Sequence, residues 1–217
     1  MSSQALPRKQ NLGEEIANAI SHGLGASLSI LGMVVLIIRA VVNNSSIALG
    51  CAIVYASSLL ILYGVSCAYH ACPWGRVKQV LRTMDHCSIY LLILGSYVPI
   101  ALLVVGGKVG WMLCIINALC AVIGITLNCF SVNRFEKFSL CLYVIMGWLV
   151  IFALKPLIAT MPLAGIVGLV IGGIFYTVGI IFYKASRVKY MHFVWHLFVL
   201  AGSAVHFLVI LYYCYPI

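Results

Sequence analysis

Seven stretches of about 20 apolar residues follow one another along the chain, and this succession of blocks restricts its fold more than any other feature. They occupy residues 20–42, 47–69, 86–105, 109–130, 138–154, 163–183 and 191–213. A helix of that length matches the hydrocarbon thickness of a bilayer. The expected fold is therefore all-α and integral to a membrane, a seven-transmembrane helix bundle. The fifth block is the weakest, because Lys155-Pro156 cuts it short.

Composition agrees. Of the 217 residues, 64% are hydrophobic and 8% charged, against roughly 25% charged in a soluble domain. So much apolar surface has no water-facing shell to hide behind, and lipid must be the solvent for most of the chain. Between the blocks lie short polar connectors. Asn43-Asn44-Ser45-Ser46 and Gly106-Gly107-Lys108 have the composition of tight turns. No linker or repeat divides the sequence, so residues 1–217 read as a single domain with a short polar N-terminal segment, 1–15. With Arg8, Lys9, Glu14 and Glu15 in that segment and no convincing cleavage site after it, the first helix is expected to serve as its own insertion signal.

The 13 basic residues against 4 acidic give a formal charge of +9, but they are scattered singly between apolar runs. That fits topology signals and anionic headgroups, not nucleic acid. Arg8, Lys9, Arg76, Lys78, Arg82, Arg134, Lys137, Lys184, Arg187 and Lys189 fall on the N-terminal side and in alternate connectors, whereas Arg39, Lys108 and Lys155 fall on the other side. The positive-inside rule then predicts a cytoplasmic N-terminus and a C-terminus outside. The nine cysteines lie mostly within apolar blocks without a CxxC pair, and read as packing residues.

Ionisable groups near a span are functional candidates by default. The topology, counted from Lys and Arg alone, brings four to one membrane level: His70 at the end of the second block, Asp85 at the start of the third, and His192 and His196 at the start of the seventh. His192 and His196 stand four residues apart and so share a helix face. With His70 they make three neutral imidazoles around one open position, a donor set suited to catalytic zinc. Ser66 lies one turn deeper than His70 on the same face. Asp85 would orient or deprotonate an activated water. Taken singly, the histidines also read as interfacial groups and Ser66 as helix packing. His206 is about 21 Å along its helix from His192, too far for the same cation, and core hydrogen bonding is the expectation. His86 is rotated away from Asp85. His22 shares a polar face with Glu14 and Asn18, as a supporting or structural residue. Gly168 and Gly172 predict a close helix contact, and Pro99 a kink in the third helix.

These residues resemble the hemolysin III family, within the progestin and adiponectin receptor superfamily and related to the alkaline ceramidases. The matching stretches are Glu14-Glu15-Ile16-Ala17-Asn18 through His22-Gly23, Ser66-Cys67-Ala68-Tyr69-His70, Asp85-His86-Cys87-Ser88-Ile89-Tyr90, Gly95-Ser96-Tyr97-Val98-Pro99 and His192-Phe193-Val194-Trp195-His196. The resemblance implies seven helices, a cytoplasmic N-terminus and zinc on His70, His192 and His196, accompanied by Ser66 and Asp85. The short termini resemble a bacterial member of the superfamily more than a hormone receptor, with the inner membrane as expected location.

Three functions follow as expectations. The first is zinc-dependent hydrolysis of a lipid amide such as ceramide, with Asp85 handling the proton and Ser66 holding oxyanion or substrate. The second is a pore-forming cytolysin, although no charge lies deep enough to line a polar path. The third is a lipid-sensing receptor with structural zinc. In each case membrane lipids are the partners, with a ceramide-like lipid or fatty acid as the small ligand.

Overall fold

A computed structural model of the protein describes residues 10–73 and 75–215. Every regular element among them is helical. In order they are α1 (Leu12–Val42), α2 (Ser46–Ala71), α3 (Arg76–Pro99), α4 (Gly107–Trp148), α5 (Leu154–Thr160), α6 (Leu163–Lys184) and α7 (Met191–Val209). π-Helical turns continue α3 over Ile100–Val105 and α7 over Ile210–Cys214, and a 3₁₀ segment, Leu149–Ala153, joins α4 to α5. Six continuous helical stretches are long and apolar enough to cross a membrane.

The expected fourth and fifth blocks form one stretch, Gly107–Thr160, of 54 residues. It is not straight. Ser131 takes extended angles (φ −170°, ψ 108°) within α4, and its hydroxyl accepts from the Arg134 amide at 3.3 Å, so it caps a second helical arm. Ser139 then donates to Asn128 at 2.9 Å, though the two are 11 residues apart, a separation of about 16 Å in a straight helix. The first arm runs back along α3, placing Gly110 against Ala101 and Gly124 against Tyr90. The second runs the other way, and Tyr143 donates to the His86 carbonyl while Tyr97 donates to that of Gly147. α4 is thus a helical hairpin whose turn consumes a single residue. Lys155-Pro156, which the sequence suggested would end the fifth block, lies in the first turn of α5, where a missing proline N–H removes no helical bond.

The connectors match their composition. Asn44 (φ 49°), Gly106 (φ 65°) and Gly107 (φ 54°) adopt left-handed conformations, and Ser45 caps α2 through the Ala48 amide. At Pro99 the α-helix gives way to the π-turn, because proline cannot supply the next ladder bond.

Packing is inverted relative to a soluble bundle. The inward face of α1 carries Glu14, Asn18, Ser21, His22, Gly25, Ser29 and Gly32 before it turns aliphatic at Leu36. Large apolar side chains point outward instead, with Phe152 83%, Phe130 79% and Leu163 75% exposed, as lipid-facing groups do. Small residues allow close helix approach: a Cβ on Gly168 would press on Val209, and one on Gly172 on the His206 ring. This is a multi-pass membrane protein.

Candidate metal centre

The first turn of α1, the end of α2 and the start of α7 meet at one end of the bundle. α1 begins there with a capping box, in which Asn11 and Glu14 exchange hydrogen bonds of 2.9 and 3.0 Å. α2 presents His70 in its last turn, and α7 presents His192 and His196 in its first two. Arg76, Lys78 and Arg82 on α3 open from this end, and the Arg82 guanidinium donates to Asn133 beside the α4 turn at 2.7 Å. Arg39 lies at the opposite end, donating to the Tyr215 carbonyl. Arg8 and Lys9 of the basic count lie outside the described residues.

The three histidines expected to converge do so. The ring nitrogens they offer lie within 4.8 Å of one another, and their ring centres are 4.8 to 5.2 Å apart. Nε2 of each is buried and has no hydrogen-bond partner. Such a group is costly in an apolar interior, and three pointing into one small volume is the arrangement a shared cation relieves. The other nitrogen is held on two of the rings. Nδ1 of His70 donates to Glu15 Oε2 at 2.7 Å, which leaves the Nε2 lone pair directed inward. Nδ1 of His196 faces the Ser21 hydroxyl at 3.4 Å. Imidazoles fixed in this way suit zinc, whose ligand nitrogens stand at roughly 2.0–2.1 Å, and the observed spacing of up to 4.8 Å must close somewhat to reach that geometry.

Ser66 is fully buried one turn from His70, with its hydroxyl beside the Asp85 carboxyl. Asp85 is buried on α3 and, with His22 and Trp195, lines an adjoining cavity, while the side chains that meet the rings' Nδ1 atoms are Glu15 on His70 and Ser21 on His196. His22 stacks on His196, with centroids 3.6 Å apart and planes 10° from parallel. His86 lines the cavity with its ring edge toward Tyr183. His206 bonds to the Leu169 carbonyl at 3.1 Å, the core role its distance along the helix left for it.

Sequence reasoning gave no site role to Glu15, Lys78 or Ser21. Glu15 also pairs with Lys78 at 2.9 Å. The available signal was the polar periodicity of α1, on which Glu15, Asn18 and His22 fall at three- and four-residue steps.

The cavity, of about 120 Å³, runs between α3, the second arm of α4, α6 and α7, from His22 and Asp85 to Trp148 and His206. On α3 alone it extends from Asp85 to Tyr97, about 18 Å of helix and just over half a bilayer's hydrocarbon depth. Between its ends the wall is mainly aliphatic and aromatic, including Ile89, Leu92 and Ile180.

Comparison with known proteins agrees with this architecture. A family model described as Haemolysin-III related matches residues 10–207. The chain is 41% identical to Hemolysin-3 of Bacillus cereus over 216 residues, covering 100% of this chain and 99% of the relative. It is 42% identical to the Hemolysin-3 homolog of Bacillus subtilis (strain 168) over 201 residues, covering 93% and 94%. It is 30% identical to the Monocyte to macrophage differentiation factor of Homo sapiens over 172 residues, covering 75% and 69%. No solved structure matches the chain. By a family match that spans nearly its whole length, the protein belongs to the haemolysin-III related family.

Proposed function

We propose that the protein is a zinc-dependent hydrolase of a lipid amide, ceramide-like in chemistry, acting from the inner membrane of a bacterium. The observation that carries this reading is the set of three close histidines with orphaned Nε2 atoms, against which His22, itself on the wall of a mainly apolar cavity, is stacked. In this reading the α4 hairpin crosses the bilayer twice, giving seven crossings. The end rich in Lys and Arg faces the cytoplasm, which leaves the C-terminus outside.

His70, His192 and His196 would hold the zinc, which when bound supplies Lewis acidity and an activated water. An acyl chain would lie along the cavity with its amide toward the histidines. Asp85, on the cavity wall, would accept the proton given up by water and return it to the departing amine. The Ser66 hydroxyl, buried beside Asp85, would donate to the oxyanion or hold the substrate carbonyl. The aliphatic walls would keep competing water from the reacting carbonyl.

The reading is tested by release of labelled fatty acid from a fluorescent ceramide by purified protein in nanodiscs. Wild type should turn over, and Asp85→Asn should lose about 100-fold or more in rate while keeping its zinc. Zinc-loaded wild type without turnover across amide and ester lipids would leave a receptor with structural zinc in its place.

The names of the Bacillus relatives favour a second reading, lysis. A conducting path needs a polar stripe across the bilayer, and the cavity here has mainly apolar walls. Steady single-channel conductance in planar bilayers would nevertheless reverse the order of the two.

A further inference from the structure

The two glutamates that open α1 reach different helices. Glu15 extends one oxygen to His70 Nδ1 on α2 (2.7 Å) and the other to the Lys78 ammonium on α3 (2.9 Å). Lys78 is itself only 3% exposed and also donates to the Cys72 carbonyl at 3.1 Å, tying the α2–α3 connector to the same point. Glu14 reaches across to α7, where its Oε1 accepts the Tyr190 amide at 2.9 Å. Tyr190 is the residue before α7 and has no side-chain cap of its own to offer. It sits in the left-handed region at φ 64°, ψ 0°, a strained conformation for a bulky side chain that surrounding contacts must hold in place. The Tyr190 hydroxyl packs on the same turn of α1, where a Cβ at Gly13 would lie 3.1 Å from it.

We propose that Glu14 and Glu15 form a two-pronged clasp that positions the metal ligands, Glu15 by fixing the ring and tautomer of His70 and Glu14 by fixing the start of the helix that carries His192 and His196. The proposal rests on the zinc reading of the three histidines and adds the residues that organise them. A carboxylate accepting from the far nitrogen of a metal-bound imidazole orients the ring and makes it a stronger donor. Here the carboxylate comes from a third helix, so α1 contributes no ligand yet sets the geometry of both helices that do. Lys78 supplies the charge that balances Glu15 within the bundle. Asn18 stands 3.5 Å from the same His70 nitrogen, but the shorter contact to Glu15 decides where that proton lies.

The test is zinc affinity of the purified full-length protein in detergent, measured by chelator competition, alongside the visible spectrum of the cobalt-substituted form. Removing Glu15 alone takes from Lys78 the carboxylate that balances its charge, so the informative variants are Glu15→Ala/Lys78→Met and Glu15→Gln/Lys78→Met. The alanine double variant should bind zinc about 10- to 100-fold more weakly than wild type, with a shifted cobalt spectrum. The glutamine double variant should recover most of that loss, because its amide oxygen still accepts from Nδ1. Glu14→Ala should weaken zinc binding about 3- to 10-fold by loosening the start of α7. If both double variants and Glu14→Ala bind within about twofold of wild type, the clasp is only structural and the proposal fails while the metal centre stands. If wild type holds no zinc, both fail together.

Discussion

At the end of the bundle where α1 finishes, buried polar groups find each other. Arg39 donates to the Tyr215 carbonyl at 3.3 Å, and the Tyr215 hydroxyl donates to the Ala48 carbonyl at 2.8 Å, within a shell that includes Leu157, Met161 and Ile210. At the end where α1 begins, the same chain leaves Nε2 of three neighbouring histidines buried without a hydrogen-bond partner. Both regions lie inside one bundle under the same penalty for unpaired polar atoms, which in lipid amounts to several kcal/mol each. One end finishes these contacts within the polypeptide. The other is organised but unfinished, and on the proposed reading a cation completes it.

Three substitutions sharpen or break this contrast, beginning with the largest effect. His196→Ala removes one of the three proposed ligands from the unfinished end and should abolish stoichiometric zinc in elemental analysis of purified protein. If the variant retains one zinc per chain, the three-histidine site is wrong. Gly110→Ala acts at the finished end, where a Cβ would collide with the Ala101 backbone carbonyl. That obstacle cannot rotate away, so thermal or denaturant unfolding should report a loss of about 1–3 kcal/mol with zinc content unchanged. A parallel loss of metal would mean that the two ends are coupled. Tyr63→Phe lies between them, where the hydroxyl donates to Ser203 at 2.7 Å and the ring meets His22 edge-on. Deleting that hydroxyl should lower stability by about 0.5–1.5 kcal/mol and leave zinc affinity within twofold.

Much of this was legible in the sequence because it is periodic or local. The apolar blocks gave the helices, the turn residues at Asn44 and Gly106 gave the reversals, and the four-residue step from His192 to His196 put two imidazoles on one face. The distribution of Lys and Arg then predicted that His70 would join them, a long-range contact reached through topology. What escaped was the turn inside α4, where one capped serine does the work expected of a seven-residue connector, and the partners of the site. Glu15 meets His70 across 55 residues and Ser21 meets His196 across 175. No local pattern encodes such pairings, because they depend on how helix faces rotate against each other once packed.

The order in which the ligands occur along the chain has a consequence for biosynthesis. His70 leaves the ribosome well before His192 and His196, which wait on the last described helix until the α4 hairpin and α6 have been inserted. N-terminal parts of a chain generally fold first during synthesis, so throughout most of translation the nascent protein carries one of the three histidines. On the proposed zinc reading, metal capture would therefore be confined to chains whose insertion has nearly finished, and a truncated product lacking α7 would be unable to acquire it.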